Sequence, residues 1–230
     1  MTTEPNAVPD DSGSKTIRLV RPSVVVLCGP AACGKSTFAA RHFRPTQIIS
    51  SDQARALVSD DERDQRFQTQ AFALVHFLVE QRLGINRLSV VDSTALTAAS
   101  RQSLLELARR YRVPAVVLLF DVPLEVCLDH DAKRERTVGR AAIERQYQLF
   151  EQAKSVIKQE GFDQIIELRG EDLDKIQIEI VFRPVPRAVT NAAPPERRRF
   201  TPRPSQPAAE NKGITRDAGP PSPPSTEPAS

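Results

Sequence analysis

Tryptophan is absent from the 230 residues, and there are only two tyrosines, three histidines, three cysteines and one methionine. So few flat rings leave little for unpaired bases to stack on. Three histidines, and three cysteines (Cys28, Cys33, Cys127) without metal-ligand spacing, argue against a structural zinc site. An odd, sparse cysteine count fits a reducing cytosol better than a disulfide scaffold. The N-terminal stretch lacks the apolar core of a secretion signal, and no run approaches membrane-spanning length. A cytoplasmic protein without membrane contact is expected.

Charge of one sign is scarce everywhere but at the C-terminus. The chain has 32 basic and 29 acidic side chains, a net +3, and a pI of about 8.9. Residues 183–230 hold eight basic and four acidic residues, a net +4, leaving −1 for the rest. This excludes a body coated in positive charge for sequence-blind nucleic-acid binding. The same tail holds 12 of the 19 prolines and no periodic apolar pattern, so 183–230 is expected to be a disordered, Pro-rich basic segment. Residues 1–16 read likewise. Arg197-Arg198-Arg199-Phe200 is a candidate nucleic-acid contact, with a solvated tail as the plainer reading.

Between these ends, short apolar runs alternate with amphipathic stretches. Ser23–Leu27, Gln47–Ser50, Leu88–Val91, Ala115–Phe120, Gln164–Leu168 and Ile176–Phe182 read as strands. Helices are expected at Ser36–His42, from Asp52, across Asp60–Leu83 to a stop at Gly84, at Thr97–Tyr111, at Pro123–His130 and from about Ala141 to Gln159. Either Ser51 or Asp52 is available to cap the second helix. Strand and helix in alternation predict an α/β fold with a central parallel sheet flanked by helices, occupying residues 17–182.

Residues 29–37 read Gly29, Pro30, Ala31, Ala32, Cys33, Gly34, Lys35, Ser36 and Thr37, a full match to G-x-x-x-x-G-K-[ST] between a buried strand and a helix. Glycines let such a loop curl so that successive backbone N–H groups face phosphate oxygens. The helix start adds its positive end, Lys35 a point charge for the β- and γ-phosphates, and Ser36 a hydroxyl for Mg²⁺. A nucleoside triphosphate and Mg²⁺ are the expected ligands. The motif does not separate kinase from hydrolase or switch. Cys33 is a small loop residue that would also make the loop sensitive to oxidation.

A kinase needs a group beside the γ-phosphate to orient and deprotonate an acceptor hydroxyl. In a parallel sheet it should lie at the carboxyl end of a strand beside the first. Asp52 follows Gln47–Ser50, and Arg55, three residues on, shares its helix face. A carboxylate beside a guanidinium suits a substrate with a hydroxyl and a neighbouring phosphate; the alternative is that Asp52 merely caps a helix.

Several linked motifs resemble the bacterial polynucleotide kinase domain, the kinase part of the polynucleotide kinase–phosphatase RNA-repair enzyme. They are the Gly29–Ala39 loop, His42-Phe43-x-Pro45-Thr46, Ile49-Ser50-Ser51-Asp52-x-x-Arg55, Leu57–Asp61, Val90-Val91-Asp92-Ser93-Thr94, Pro123-x-x-Val126-Cys127 and Gly161-Phe162, covering roughly residues 23–182. The resemblance implies a P-loop kinase fold with a helical lid, ATP·Mg²⁺ held by Lys35 and Ser36, Asp52 as general base for a 5′-hydroxyl, and Arg55 on the phosphate 3′ to the acceptor nucleotide. It implies an RNA or DNA 5′-OH end as substrate and separate phosphatase or ligase repair proteins as partners. Asp92 resembles the carboxylate that orients magnesium waters, with Thr94 a weaker candidate; Ala95 stands where the pattern often has Asn.

The lid is expected at 131–140, where Lys133, Arg134, Arg136 and Arg140 would close over the triphosphate. Only Arg136 aligns fully with the family's lid arginines. His130 and Lys133 stand where arginines are expected, and lysine does not replace arginine in a bidentate clamp. A solvated, charge-mixed loop is the alternative. Two other functions share the ATP side: a P-loop kinase of a small metabolite or nucleoside, and a non-catalytic ATP-binding adaptor.

Overall fold

Residues 15–135 and 137–183 are described by the computed structural model. Five short strands form one parallel sheet: β2 (Val24–Cys28), β3 (Ile48–Ser50), β4 (Ser89–Asp92), β5 (Ala115–Asp121) and β6 (Gln164–Arg169), in the order β3-β4-β2-β5-β6. β1 (Lys15–Arg21) and β7 (Ile176–Phe182) pair with each other instead, as a separate parallel ribbon with Lys15 opposite Ile176 and Arg21 opposite Phe182. The last strand therefore does not extend the central sheet. β1 begins inside the 1–16 segment from which no structure was expected. The rest of that segment, and the tail from residue 184 on with its Arg197–Phe200 cluster, lie outside the described residues.

The β2 and β5 runs are apolar because both of their faces are covered. Val24, Val26 and Cys28 face α3 (Gln68–Gly84) and α4 (Ala98–Tyr111), which contribute Val75, Val79 and Leu104. Val25 and Leu27 point the other way, toward Phe38 of α1 (Lys35–His42), Cys127 of α5 (Leu124–Ala132), Ile143 of α6 (Arg140–Val156) and Ile17 and Leu19 of β1. Each such fully buried aliphatic side chain contributes about 1.5–3 kcal/mol.

α2 (Ser51–Ser59) starts directly after β3. The helix expected over 60–83 begins only at Gln68. Asp60 takes a left-handed φ of 57° that ends α2, and no apolar residue appears between Asp60 and Arg66 to bind a helix there to the core. Residues 60–67 instead form an arch with a short 3₁₀ turn at Gln65–Phe67 before α3 starts.

Candidate active site

The carboxyl ends of β2, β3 and β4 open onto one cleft of about 820 Å³. Its floor is the loop after β2. Ala32 (φ 60°) and Gly34 (φ 93°) turn that loop back on itself, and Gly34 is the N-cap of α1. Gly29 has no room for a side chain: a Cβ there would lie 2.9 Å from Cys33 Sγ and 3.1 Å from Phe120 Cβ. Lys35 is buried, its Nζ donating to the carbonyls of Gly29 (3.0 Å) and Pro30 (2.5 Å). The lysine is thus folded over its own loop and must leave those carbonyls to meet a phosphate. The Ala31 amide donates to Gln146 Oε1 of α6 at 2.7 Å. A side chain therefore already occupies one donor of the anion cradle.

Asp92 ends β4, next to β2 in the sheet, and is buried. Burial pushes its carboxyl above the ordinary range, and Asp52 adds to this. A hydrogen bond from Ser36 and the nearby Lys35 and Arg134 charges work the other way. Ser93 Oγ beside it is buried, lines the same cleft and makes no hydrogen bond. The segment is fixed from behind. Gly29 N donates to the Thr94 carbonyl (3.1 Å), and the fully buried Arg101 donates from Nη1 to the Ala95 carbonyl (2.7 Å). Arg101 also holds Glu160 through Nε (2.8 Å) and Nη2 (2.5 Å). Cys28 and Cys127, buried nearby, have thiols pushed up to about 12 by burial.

The opposite wall is α2. Its N-cap is Ser50, whose side chain accepts from Gln53 N, so neither Ser51 nor Asp52 caps the helix. Asp52 is 60% exposed and accepts from Arg55 Nη1 at 2.8 Å. Arg55 is 3% exposed and also donates to the Glu62 carbonyl (2.6 Å) and to Gln68 Oε1 (3.2 and 2.5 Å). Four of its five N–H groups are thereby used. Arg55 ties Asp52, the 60–67 arch and α3 together, with one donor left for a ligand. β3 is not adjacent to β2: β4 lies between, with Ser50 opposite Asp92, so the expected placement of Asp52 beside the first strand is off by one strand.

A second cleft, of about 1060 Å³, flanks the loop on the α5 side and is lined by Cys33, Thr37, Pro123, His130, Lys133 and Gly170 among others. Arg41 and Asp174, hydrogen-bonded to one another, stand at its edge. Arg134 lines both clefts. The expected lid is the connection from α5 to α6, and its described residues between Ala132 and Arg140 are not helical. Buried Asp131 pins it, accepting from the amides of Val138 (2.9 Å) and Gly139 (2.9 Å), while His130 Nδ1 contacts the Ala32 carbonyl (3.1 Å). Arg140 pairs with Glu144 and lines neither cleft; Arg136 lies outside the described residues.

Lys35, Ser36, Asp52, Arg55, Asp92, Thr94 and Arg134 are therefore brought to one cleft. Gln146, Arg63 and Gln68 line it too, without any sequence signal that marked them; Arg101 and Glu160 support it from the core.

A phosphate loop after β2, a buried carboxylate closing β4 beside it, and a parallel sheet of order β3-β4-β2-β5-β6 make up a P-loop kinase fold. Residues 24–153 match AAA_33, an AAA domain family, and the chain belongs to that family. No curated protein matches it. Among solved structures, the Streptococcus pneumoniae PezAT toxin–antitoxin system is 15% identical with a TM-score of 0.50, over 66% of this chain and 69% of that one. The Pnkp1/Rnl/Hen1 RNA repair complex is 21% identical with a TM-score of 0.48, over 60% and 46%, so this chain spans about half of that relative's length. The Mycobacterium tuberculosis APS kinase CysC, solved with AMPPNP and APS, is 18% identical with a TM-score of 0.45, over 61% and 98%.

Proposed function

We propose that the chain is an ATP-dependent 5′-hydroxyl polynucleotide kinase acting in RNA repair. The observation that carries this reading is the placement of Asp52, held by Arg55, in the same cleft as Lys35 and Ser36. The acceptor end enters over α2. Its 5′-oxygen attacks the γ-phosphorus of ATP, the bond from that phosphorus to the β–γ bridging oxygen breaks, and ADP leaves. The hydroxyl proton passes to Asp52. Lys35 and the loop amides hold the β- and γ-phosphates, and Arg134 is near enough to both clefts to follow the transferred group.

The residues beside the loop suit Mg²⁺. Ser36 and Ser93 hydroxyls with the Asp92 carboxylate make an all-oxygen set, and one carboxylate plus phosphates is the usual provision for this cation. When bound it would neutralise phosphate charge; Ser36 and Asp92 are the groups that would hold it or its waters. Arg55 acts first as the residue that positions Asp52, and offers its remaining N–H to the phosphate 3′ to the acceptor nucleotide.

The test is transfer of labelled γ-phosphate to a 5′-OH RNA oligomer, run beside a panel of small hydroxylated metabolites. Labelling of the oligomer, lost in Asp52→Ala, is expected. Labelling of a metabolite alone would overturn the assignment in favour of a small-molecule kinase, and labelling of nothing in favour of an ATP-binding adaptor.

A further inference from the structure

α3 connects two ends of the molecule. Gln68 and Phe72 in its first turns line the acceptor cleft, and its last turn carries Arg82 at the opposite end, where the strands begin. Seventeen residues make it roughly 25 Å long. Thr69, Ala73, Phe77 and Gln81, four residues apart on one stripe, are all exposed and uncharged. Phe77 is 56% exposed. The acid of α3, Glu80, is engaged by Arg110 and Tyr111.

At the far end, arginines from three segments are tied together. The Arg87 amide donates to the Arg82 carbonyl (2.9 Å), and the Arg183 amide donates to the Arg21 carbonyl (3.1 Å). Arg21 Nε donates to the Asn86 carbonyl (3.3 Å), and its guanidinium lies 5.7 Å from the Phe182 ring centre. Arg82 is committed to the fold, on Ser89 Oγ and the Leu88 carbonyl, and suits a helix C-terminus. Arg21 is likewise engaged, by the Asn86 carbonyl and the Phe182 ring, but without a carboxylate, and no side-chain bond is made by Arg87 or Arg183 among the described residues. Among the described residues, none of the four is ion-paired with a carboxylate. Their neighbourhood is repulsive: Arg82 is held below its ordinary range by burial first, then by Arg87 and Arg21. Residues 184–230, which continue the chain from here, hold seven basic and four acidic residues and bring no surplus of negative charge.

Guanidiniums without a carboxylate partner among the described residues at one end of a neutral stripe, with the acceptor cleft at the other, call for a polyanion long enough to reach both. We propose that the body of the acceptor strand runs along the exposed face of α3, a base against Phe77, with phosphates several nucleotides from the reacting end held by Arg21, Arg87 and Arg183. This rests on the polynucleotide kinase reading and adds to it the strand's path. It makes the enzyme a reader of acceptor length.

Kinetics of the full chain on 5′-OH RNAs of about 3 and about 12 nucleotides test this, with Arg87→Glu/Arg183→Glu and Phe77→Ala as variants at exposed positions. The longer RNA is expected to have a KM about ten-fold lower. The double variant should remove that advantage, leave the 3-mer unchanged, and flatten the salt dependence by about 0.7 for each phosphate left without its arginine. Phe77→Ala should raise the 12-mer KM several-fold. Equal KM for both lengths, or a 12-mer KM unmoved by the double variant, overturns the track while leaving the kinase reading intact. If no RNA is phosphorylated the kinase reading fails, and fluorescence anisotropy with a 5′-phosphorylated 12-mer decides the track separately. A ten-fold loss of binding in the double variant supports it. Unchanged binding, or a dimer of the chain that Phe77→Ala dissolves, overturns it by assigning the stripe to protein contact.

Discussion

The two walls of the cleft are built differently. The phosphate wall stands on the central strands: Lys35 and Asp92 are buried, and Arg101 and Glu160 brace the Asp92–Ala95 segment from within the core. The acceptor wall stands on the edge strand β3, with Asp52 60% exposed on the first turn of α2 and bonded to Arg55 of the same helix, which also donates to the Glu62 carbonyl of the 60–67 arch. On the proposed function, the triphosphate side is thus fused to fold stability, whereas the acceptor side combines the exposed Asp52 with a buried Arg55 that ties α2 to the 60–67 arch and α3.

Asp52→Ala gives the largest separation of the two walls. Loss of the general base should lower kcat by about 10²- to 10⁴-fold, with ATP affinity and thermal midpoint unchanged by calorimetry. A parallel loss of stability would show that the acceptor wall is structural after all. Arg101→Ala should do the reverse. It strands Glu160 in the core and should cost about 3–5 kcal/mol in denaturant unfolding; a cost under about 1 kcal/mol would mean the brace carries little.

Asp92 gives a pH signature. Its folded-state pKa is raised by burial, so the folded protein keeps this proton longer than the unfolded chain. Stability should therefore fall as pH rises from the ordinary carboxylate range through the raised pKa. Asp92→Asn should abolish that fall and raise the neutral-pH midpoint, while reducing Mg²⁺-dependent turnover. An unchanged pH–stability profile in the variant would contradict the assignment. The smallest effect belongs to Gln146, whose carboxamide competes for the Ala31 amide. Gln146→Ala should tighten ATP binding by about 1 kcal/mol or less; weakened binding would make Gln146 a ligand-side group instead.

The sequence made the phosphate wall legible because its requirements are local. The loop needs glycines at 29 and 34, and the flanking runs are apolar because both faces are covered. The acceptor wall was legible in identity but not in position. Nothing in residues 47–52 says that β4 inserts between β3 and β2, or that Ser50 takes the cap and frees Asp52 to bond Arg55. β1 was missed although Ile17, Arg18 and Leu19 alternate buried, exposed, buried; its partner lies some 160 residues away, and a short alternation beside a polar terminus carries little weight alone. Gln146 and Arg101 are legible only in three dimensions, since each acts on a backbone atom that no local pattern assigns to it.

The ribbon of first and last strands bears on how this domain is made. On the ribosome, Lys15–Arg21 emerges early and must wait for Ile176–Phe182 before its backbone groups find their ladder. During nearly the whole of the domain's synthesis an unpaired, half-apolar strand is on offer to any other nascent chain. Pairing of such high contact order is slow, so the step that completes this domain belongs to the period after its last strand has been released, and chaperone demand should concentrate there.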